Sequence, residues 1–326
     1  MFRVIDRRAD GSLHVACSET DAATLIAMPP EGTVRWVDLQ RPDAIALDQL
    51  RRAFALHPLA IADCAAFGRQ SRVDDYEDYL FVVSHAFTQS PRDPLLIQVN
   101  EIHAFIAESF LITVHDNPIP AHEQVWLSTS TETNILAKGP SWPWLLSVQT
   151  MVNASEPLVL GLAEELDDVE RAVIEEGGVI DLSQTFRIKR TAVAMRRVLR
   201  PLRDSLRVIV EIAENTDPRI PNRAAQYINA LCDRVVRLTE SVEEAREVAN
   251  GIVSGFHAVQ STRTNAVIQR LTVFSAVFLP LSFIVGFWGQ NFEALPYKSD
   301  WALALMLGSL IIVPVGLLWW IRRRWL

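Results

Sequence analysis

Two uncharged stretches near the C-terminus constrain this chain more than any other feature. Between Arg270 and Glu293 lie 22 consecutive residues without a charge, and between Asp300 and Arg322 lie 21 more. A helix of about 20 apolar residues crosses the hydrocarbon core of a bilayer. Two such runs, separated by residues 293–300, read as a transmembrane hairpin. The competing reading, two buried helices of a soluble core, is weak, because soluble helices rarely run so far without a charge. The end of the first run and the start of the link read GFWGQNFEALP, Gly286 to Pro296, where polar residues and a proline interrupt two segments that prefer oil.

The basic residues orient the hairpin. Arg322, Arg323 and Arg324 follow the second run directly, whereas the link holds only Lys298 against Glu293 and Asp300. The positive-inside rule then places the tail and the large N-terminal part in the cytoplasm, with the link outside. The first residues, MFRVIDRRADGS, contain no apolar core of a secretory signal. Cys17, Cys64 and Cys232 are scattered and make no CxxC pair, so they read as free thiols. A net charge of −8 argues against a nucleic-acid partner. We find no GxxxxGK[ST] motif for ATP coupling, no nucleophile–base arrangement and no specific metal-ligand spacing, so an enzyme is not expected.

Residues 1–150 alternate between the two kinds of secondary structure. Segments 34–39, 79–87, 96–108 and 110–116 are rich in β-branched and aromatic residues and read as strands. Segments 43–54 and 57–66 have helical spacing, so a cytoplasmic α/β domain is expected. From Trp142 onward nearly everything reads as helix. Residues 151–221 form a helical hairpin, with an acidic amphipathic helix over 156–176, a basic one over 183–214 and a turn at Asp217–Pro221. From Asn222 no Gly–Pro break and no cluster of turn residues intervenes before the membrane, so a helix running on to Phe292 is expected, a rod of about 107 Å. It comprises a stalk (222–270) and the first membrane span (271–292), and a second span (301–321) and a basic tail (322–326) follow the link.

One face of that rod stands out. Ala258, Ser261, Asn265, Ile268, Thr272, Ser275, Leu279, Ser282 and Gly286 recur with steps of 3 and 4, a heptad seam of small or polar residues running from water into the membrane. Phe274, Phe278, Leu281, Val285 and Trp288 form a bulky stripe suited to lipid or a neighbouring helix. Small residues alone would indicate helix packing. Thr272, Ser275 and Ser282 stacked above Asn265, with Asn291 at the outer end, point instead to a water-filled path. One hairpin cannot enclose a pore, so several copies must surround an axis. Neither span contains Asp, Glu, Lys, Arg or His. Stripping water from a divalent cation takes fixed carboxylates or thiolates, so an ion on this path keeps most of its hydration shell. A membrane-anchored structural or signalling protein is the rival from another class, but an anchor has no use for such a seam.

The segment LTVFSAVFLPLSFIVGFW followed by GQNF resembles the CorA family of divalent-cation channels and transporters. Asn265, Leu271–Thr272, Leu279–Pro280, Gly289–Asn291, Phe292, Glu293, Pro296 and the closing Arg324–Trp325–Leu326 fall in family order. Upstream, residues 36–39, 57–64, 72–83 and 196–204 are also similar, so the resemblance covers nearly the whole chain. It implies an α/β domain, a long stalk helix and two transmembrane helices, assembled as a homopentameric funnel in the inner or plasma membrane, with both termini cytoplasmic. It implies a pore mouth of Gly289, Gln290 and Asn291, where Asn291 meets the hydrated ion and Glu293 concentrates cations outside. It also implies an apolar constriction of Ile268, Leu271 and Leu279, with Thr264 and Asn265 toward the cytoplasm. No permanently bound cofactor is expected; Zn2+, Mg2+ or Co2+ is cargo.

Departures from the family pattern bear on the ion. The magnesium branch carries Met where this chain has Gln290. It also pairs an acid on the N-terminal domain with one on a neighbouring stalk as a magnesium sensor. Asp63 suits the first role, but Ala62 precedes it, and the stalk position matches Ala230, with Asp233 one turn on. Ser254 likewise replaces an acid. These losses resemble the ZntB-like, zinc-transporting branch, although FEALP after GQN is closer to the magnesium branch. Zinc is therefore favoured, with Mg2+ or Co2+ as the alternative. His257 beside the seam suits zinc as a ring of imidazoles, but a packing histidine explains it better. His115–Asp116 and His122–Glu123 form a small cluster able to bind a metal, though loop histidines are usually only exposed.

Overall fold

The computed structural model describes residues 2–18, 26–90, 93–175, 182–290 and 299–324. These form two compact units, one ending at Val253 and the other beginning at Ser254.

The first unit is built on a seven-stranded sheet. Its strands are β1 (Phe2–Arg7), β2 (Leu13–Ser18), β3 (Val34–Gln40), β4 (Arg72–Asp75), β5 (Leu80–Ser90), β6 (Asp93–Ile106) and β7 (Phe110–His115), in the spatial order β2-β1-β3-β7-β6-β5-β4. All neighbours are antiparallel except β3 and β7, which run parallel with Trp36 opposite Leu111. Side chains alternate across a sheet, and both faces are covered here. Val37, Leu39, Phe81, Val83, Phe105 and Ile112 pack against α1 (Ala44–Ala53) and α2 (Pro58–Ala65). Trp36, Leu80, Val82, Ala104, Ile106 and Leu111 face the longer helices on the other side.

Local chemistry starts the short helices. Asp43 caps α1 by accepting from the Ala46 N–H at 2.8 Å. His57 caps α2 through Leu59, with Pro58 in the first turn. Two helices not expected from the pattern, α3 (Pro120–Thr131) and α4 (Thr133–Ala137), lead into α5 (Ser141–Glu175). β1, β2 and β4 were likewise absent from the strand expectation, and α5 starts well before residue 156. α6 (Ser183–Glu214) ends at a turn in which Thr216 takes φ 64°. α7 is continuous over Asn222–Trp288, four residues short of the expected rod, with Pro280 inside it. Its first part packs Ile228, Leu231, Val235, Val242 and Ile252 into the core of the first unit.

The second unit holds the remainder of α7 and α8 (Asp300–Arg324). The most apolar stretch of α7 has no buried residue, and that of α8 almost none. Leu279 is 76% exposed, Phe283 73% and Ile312 71%. Surface this apolar is not left to water, which disposes of the soluble-core reading and requires lipid or other protein around both helices.

The candidate permeation path

The seam survives as one exposed face of α7. Ala258, Ser261, Asn265, Ile268, Thr272, Ser275, Leu279, Ser282 and Gly286 are all helical and all exposed. Thr264 and Leu271 lie one residue back, about 100° round the helix, and widen this face. One residue forward, Ala266, Gln269, Val273, Ala276 and Pro280 are half-buried, and Val273 and Val277 line an apolar groove together with Leu318 of α8. The hairpin itself thus leaves the seam uncovered, as it does Phe274 and Phe278 of the bulky stripe. The bulky stripe is arranged separately, with the Phe274 and Phe278 rings stacked at 4.4 Å.

The threonines on this face carry the chemical information. Thr272 Oγ1 donates to the Ile268 carbonyl at 2.8 Å, and Thr264 Oγ1 to the Gln260 carbonyl at 3.0 Å. A hydroxyl has one hydrogen and two lone pairs. With the hydrogen spent on its own helix, each oxygen presents lone pairs outward. The water shell of a cation points its hydrogens outward, so acceptors without a competing donor are what such a shell requires. At the outer end, Gly289 donates to the Val285 carbonyl at 2.9 Å, and a Cβ at this position would come within 3.0 Å of that same oxygen. A side chain here would crowd the tight end of α7, which glycine avoids. Gln290 follows immediately; Asn291 and Glu293 lie outside the described residues.

The acids proposed for a cytoplasmic sensor fare differently. Asp63 is held by Arg69 at 2.9 Å and by Arg72, and must surrender both guanidiniums before it can ligate a dication. Asp233 is exposed on α7. His257 is exposed too, its ring 6.1 Å from that of Phe256, and meets the seam only as its neighbour on the helix.

The histidine cluster needs a correction. His115 and His122 do come together, with ring centroids 5.2 Å apart, and both are buried rather than loop-exposed. Their expected carboxylates point elsewhere: Asp116 pairs with Arg41 at 3.0 Å and Glu123 with Arg3 at 2.7 Å. The acid between the two imidazoles is Asp38 of β3, which the sequence reading missed. The signal was present, since strand alternation puts Asp38 on the same inward face as Trp36. Burial alone would push the Asp38 carboxyl up, but His122 and His115 beside it hold it well below the ordinary carboxylate range. For His115, burial is likewise outweighed by the hydrogen bond and charge of Asp38, which raise its value.

An α/β domain followed in the chain by two long, exposed apolar helices is the layout of a membrane protein, and comparison with known proteins places it among divalent-cation transporters. The chain belongs to the family described as CorA-like Mg2+ transporter protein, whose model matches residues 31–323. It is 27% identical over 293 residues to the protein YfjQ of Bacillus subtilis (strain 168), covering 89% of each chain. It is 22% identical over 313 residues to the cobalt/magnesium transport protein CorA of Thermotoga maritima, covering 94% of this chain and 88% of that protein. The zinc transport protein ZntB of Pectobacterium carotovorum subsp. carotovorum is also 22% identical, over 234 residues, 70% of this chain and 69% of its own. Among solved structures, the CorA magnesium transporter of Methanocaldococcus jannaschii superposes with a TM-score of 0.78 over 98% of both chains. At 16% identity that likeness is one of fold.

Proposed function

We propose that this divalent-cation transporter of the CorA family works as a homopentamer in the plasma membrane, that the α7 seam lines its central path, and that hydrated Zn2+ is its principal cargo. The observation that carries the reading is the seam itself: an exposed, uncharged face whose threonine hydrogens are committed to the helix backbone, leaving acceptors for an ion's water shell. Copies of α7 around an axis would cover that face and give the path its wall. Ile268, Leu271 and Leu279 would narrow it, and Gly289, Gln290 and Asn291 would form its outer mouth, with Glu293 gathering cations there. Zinc is favoured over magnesium on two grounds. Gln290 replaces the Met of the magnesium branch, and the Asp63 carboxylate is already neutralised by two arginines rather than free for an intracellular magnesium ion. Both termini are cytoplasmic in this reading, because Arg322, Arg323 and Arg324 close α8 at its C-terminal end.

The test is flux in liposomes with zinc- and magnesium-sensitive dyes in parallel, with and without a pH gradient. Zinc flux that rises with the gradient and disappears in Asn291→Ala supports the proposal. Magnesium flux indifferent to pH would move the protein to the Mg2+/Co2+ reading. Flux unaltered in Asn291→Ala would remove this path altogether.

A further inference from the structure

A separate site lies in the α/β domain and does not depend on the permeation reading. Asp38 of β3, His115 at the end of β7 and His122 of α3 bring one carboxylate oxygen and two imidazole nitrogens to within 4.8 Å of one another. His122 Nε2 is 2.9 Å from Asp38 Oδ1, and His115 Nε2 is 3.5 Å from the same oxygen. Ligand atoms tetrahedrally arranged at zinc's usual bond lengths sit about 3.3 Å apart. The two separations to Oδ1, 2.9 and 3.5 Å, bracket that value, and no two of the three atoms are more than 4.8 Å apart.

The surroundings are arranged to hold it. His115 Nδ1 is 2.7 Å from the Asn117 carbonyl, a contact that only Nδ1–H can make. Ser147 spends its hydroxyl hydrogen on the Pro143 carbonyl at 2.7 Å, so at the 2.9 Å contact with His122 the donor is Nδ1–H of the ring. Both imidazoles are thereby oriented with Nε2 toward Asp38. Metal-binding histidines are oriented in this way, by an acceptor on the far nitrogen. Asp38 is oriented as well: Arg3 Nε holds Oδ2 at 2.7 Å, while Thr113 donates to Oδ1 at 2.6 Å and receives from Trp36 Nε1 at 2.9 Å. Arg3 thus holds Oδ2, which His115 Nε2 also approaches at 3.5 Å, while Oδ1 takes the closer contact of His122, and the Arg3 charge is shared with Glu123. Two imidazoles and one carboxylate suit Zn2+ and neighbouring first-row ions, whereas Mg2+ prefers an all-oxygen shell.

We propose that Asp38, His115 and His122 form a buried transition-metal site, selective for Zn2+-class ions over Mg2+, that fastens α3 to the sheet of the α/β domain. Thr113 Oγ1 or a water completes the coordination.

The experiment uses the full-length protein in detergent, stripped with chelator and held in excess Mg2+ to fill oxygen-only sites. One equivalent of Co2+ per chain is added and visible absorption recorded. The expected result is the intense absorption of four-coordinate cobalt, abolished by added Zn2+, lost in His122→Gln and Asp38→Asn, and kept in Asp116→Asn. In parallel, X-ray absorption on wild-type protein with one equivalent of Zn2+ per chain should show two imidazoles and oxygen at about 2.0–2.2 Å. That arm remains decisive even if the variants fail to fold. Wild type giving only the faint spectrum of six-coordinate cobalt, a zinc shell of oxygen alone, or a His122→Gln variant that folds and keeps the absorption would each overturn the site.

Discussion

Replacing Thr272 separates a pore-lining seam from a packing seam. Valine has nearly the shape of threonine but no oxygen, while serine keeps the oxygen and loses the methyl. Thr272 Oγ1 donates to the Ile268 carbonyl, so valine removes a bond that competes with helix regularity and does not unsettle α7. In the proposed pore each subunit contributes one such oxygen to a ring. An ion's shell meeting two of them at once gains about 2 kcal/mol, at roughly 1 kcal/mol net per hydrogen bond. Losing that in Thr272→Val lowers flux about 30-fold, at 1.36 kcal/mol per tenfold. Thr272→Ser should stay within a few-fold of wild type. The assay is dye-reported zinc uptake into liposomes, normalised to protein incorporated. If the seam merely packs helices, the order reverses: valine is tolerated, and serine weakens the assembly by leaving a methyl-sized gap. Wild-type flux in Thr272→Val would refute the reasoning.

Three further outcomes follow from the cytoplasmic domain. Arg219 donates to Asp217 at 2.6 Å, to Asp75 at 2.6 Å and to the Glu77 carbonyl at 2.9 Å, joining the β4 edge to the turn between α6 and α7. Arg219→Ala strands Asp217, whose side chain is 16% exposed, and should cost about 2–3 kcal/mol in urea unfolding followed by tryptophan fluorescence; an unchanged midpoint contradicts this. Glu101 lies between His103 at 2.7 Å and His85 at 3.4 Å and accepts from the Gly68 N–H; these contacts outweigh burial and hold its carboxyl well below the ordinary 4.5. A depressed carboxylate contributes stability above its unfolded value and loses it as pH falls through the folded one. The stability gap between wild type and Glu101→Gln should therefore be wide at pH 7 and narrower near pH 3, and a gap independent of pH rules this out. Cys17 is exposed while Cys64 and Cys232 are buried, so in cells a membrane-impermeant maleimide should label the chain at Cys17, and only after lysis; labelling of intact cells would invert the topology.

What could be read from the sequence and what could not divides along the range of the interactions involved. The α7 seam was legible because helical periodicity is local. A residue three or four positions away shares a face whatever the rest of the chain does. The two apolar helices were legible for the same reason, as were α1 and α2, whose caps Asp43 and His57 stand next to the helices they start. β1 and β2 were missed because each is only six residues long, FRVIDR mixing charges and LHVACS small and polar residues with the apolar ones, and it is pairing with β3 that makes β1 an interior strand. Asp63 looked like a free acid because Arg69 and Arg72, although near in sequence, reach it only when the chain leaving α2 returns as β4.

The Asp38 cluster shows the same limit from the other side. Its two histidines are seven residues apart and drew attention in the sequence, where the acids beside them, Asp116 and Glu123, seemed the natural partners. Strand geometry forbids the first pairing, because successive residues of a strand point to opposite faces. Asp116 follows His115 at the end of β7 and turns out to Arg41, while His115 turns in. Glu123 follows His122 by about 100° of helix and reaches Arg3. The parallel pairing of β3 with β7 then places Asp38 beside Thr113, one inward position before His115. Any buried charged residue on an inward strand position must be answered by partners, since a lone carboxylate there costs several kcal/mol. Asp38 could therefore have been flagged as needing partners; which ones was decided only when a strand 75 residues away came alongside.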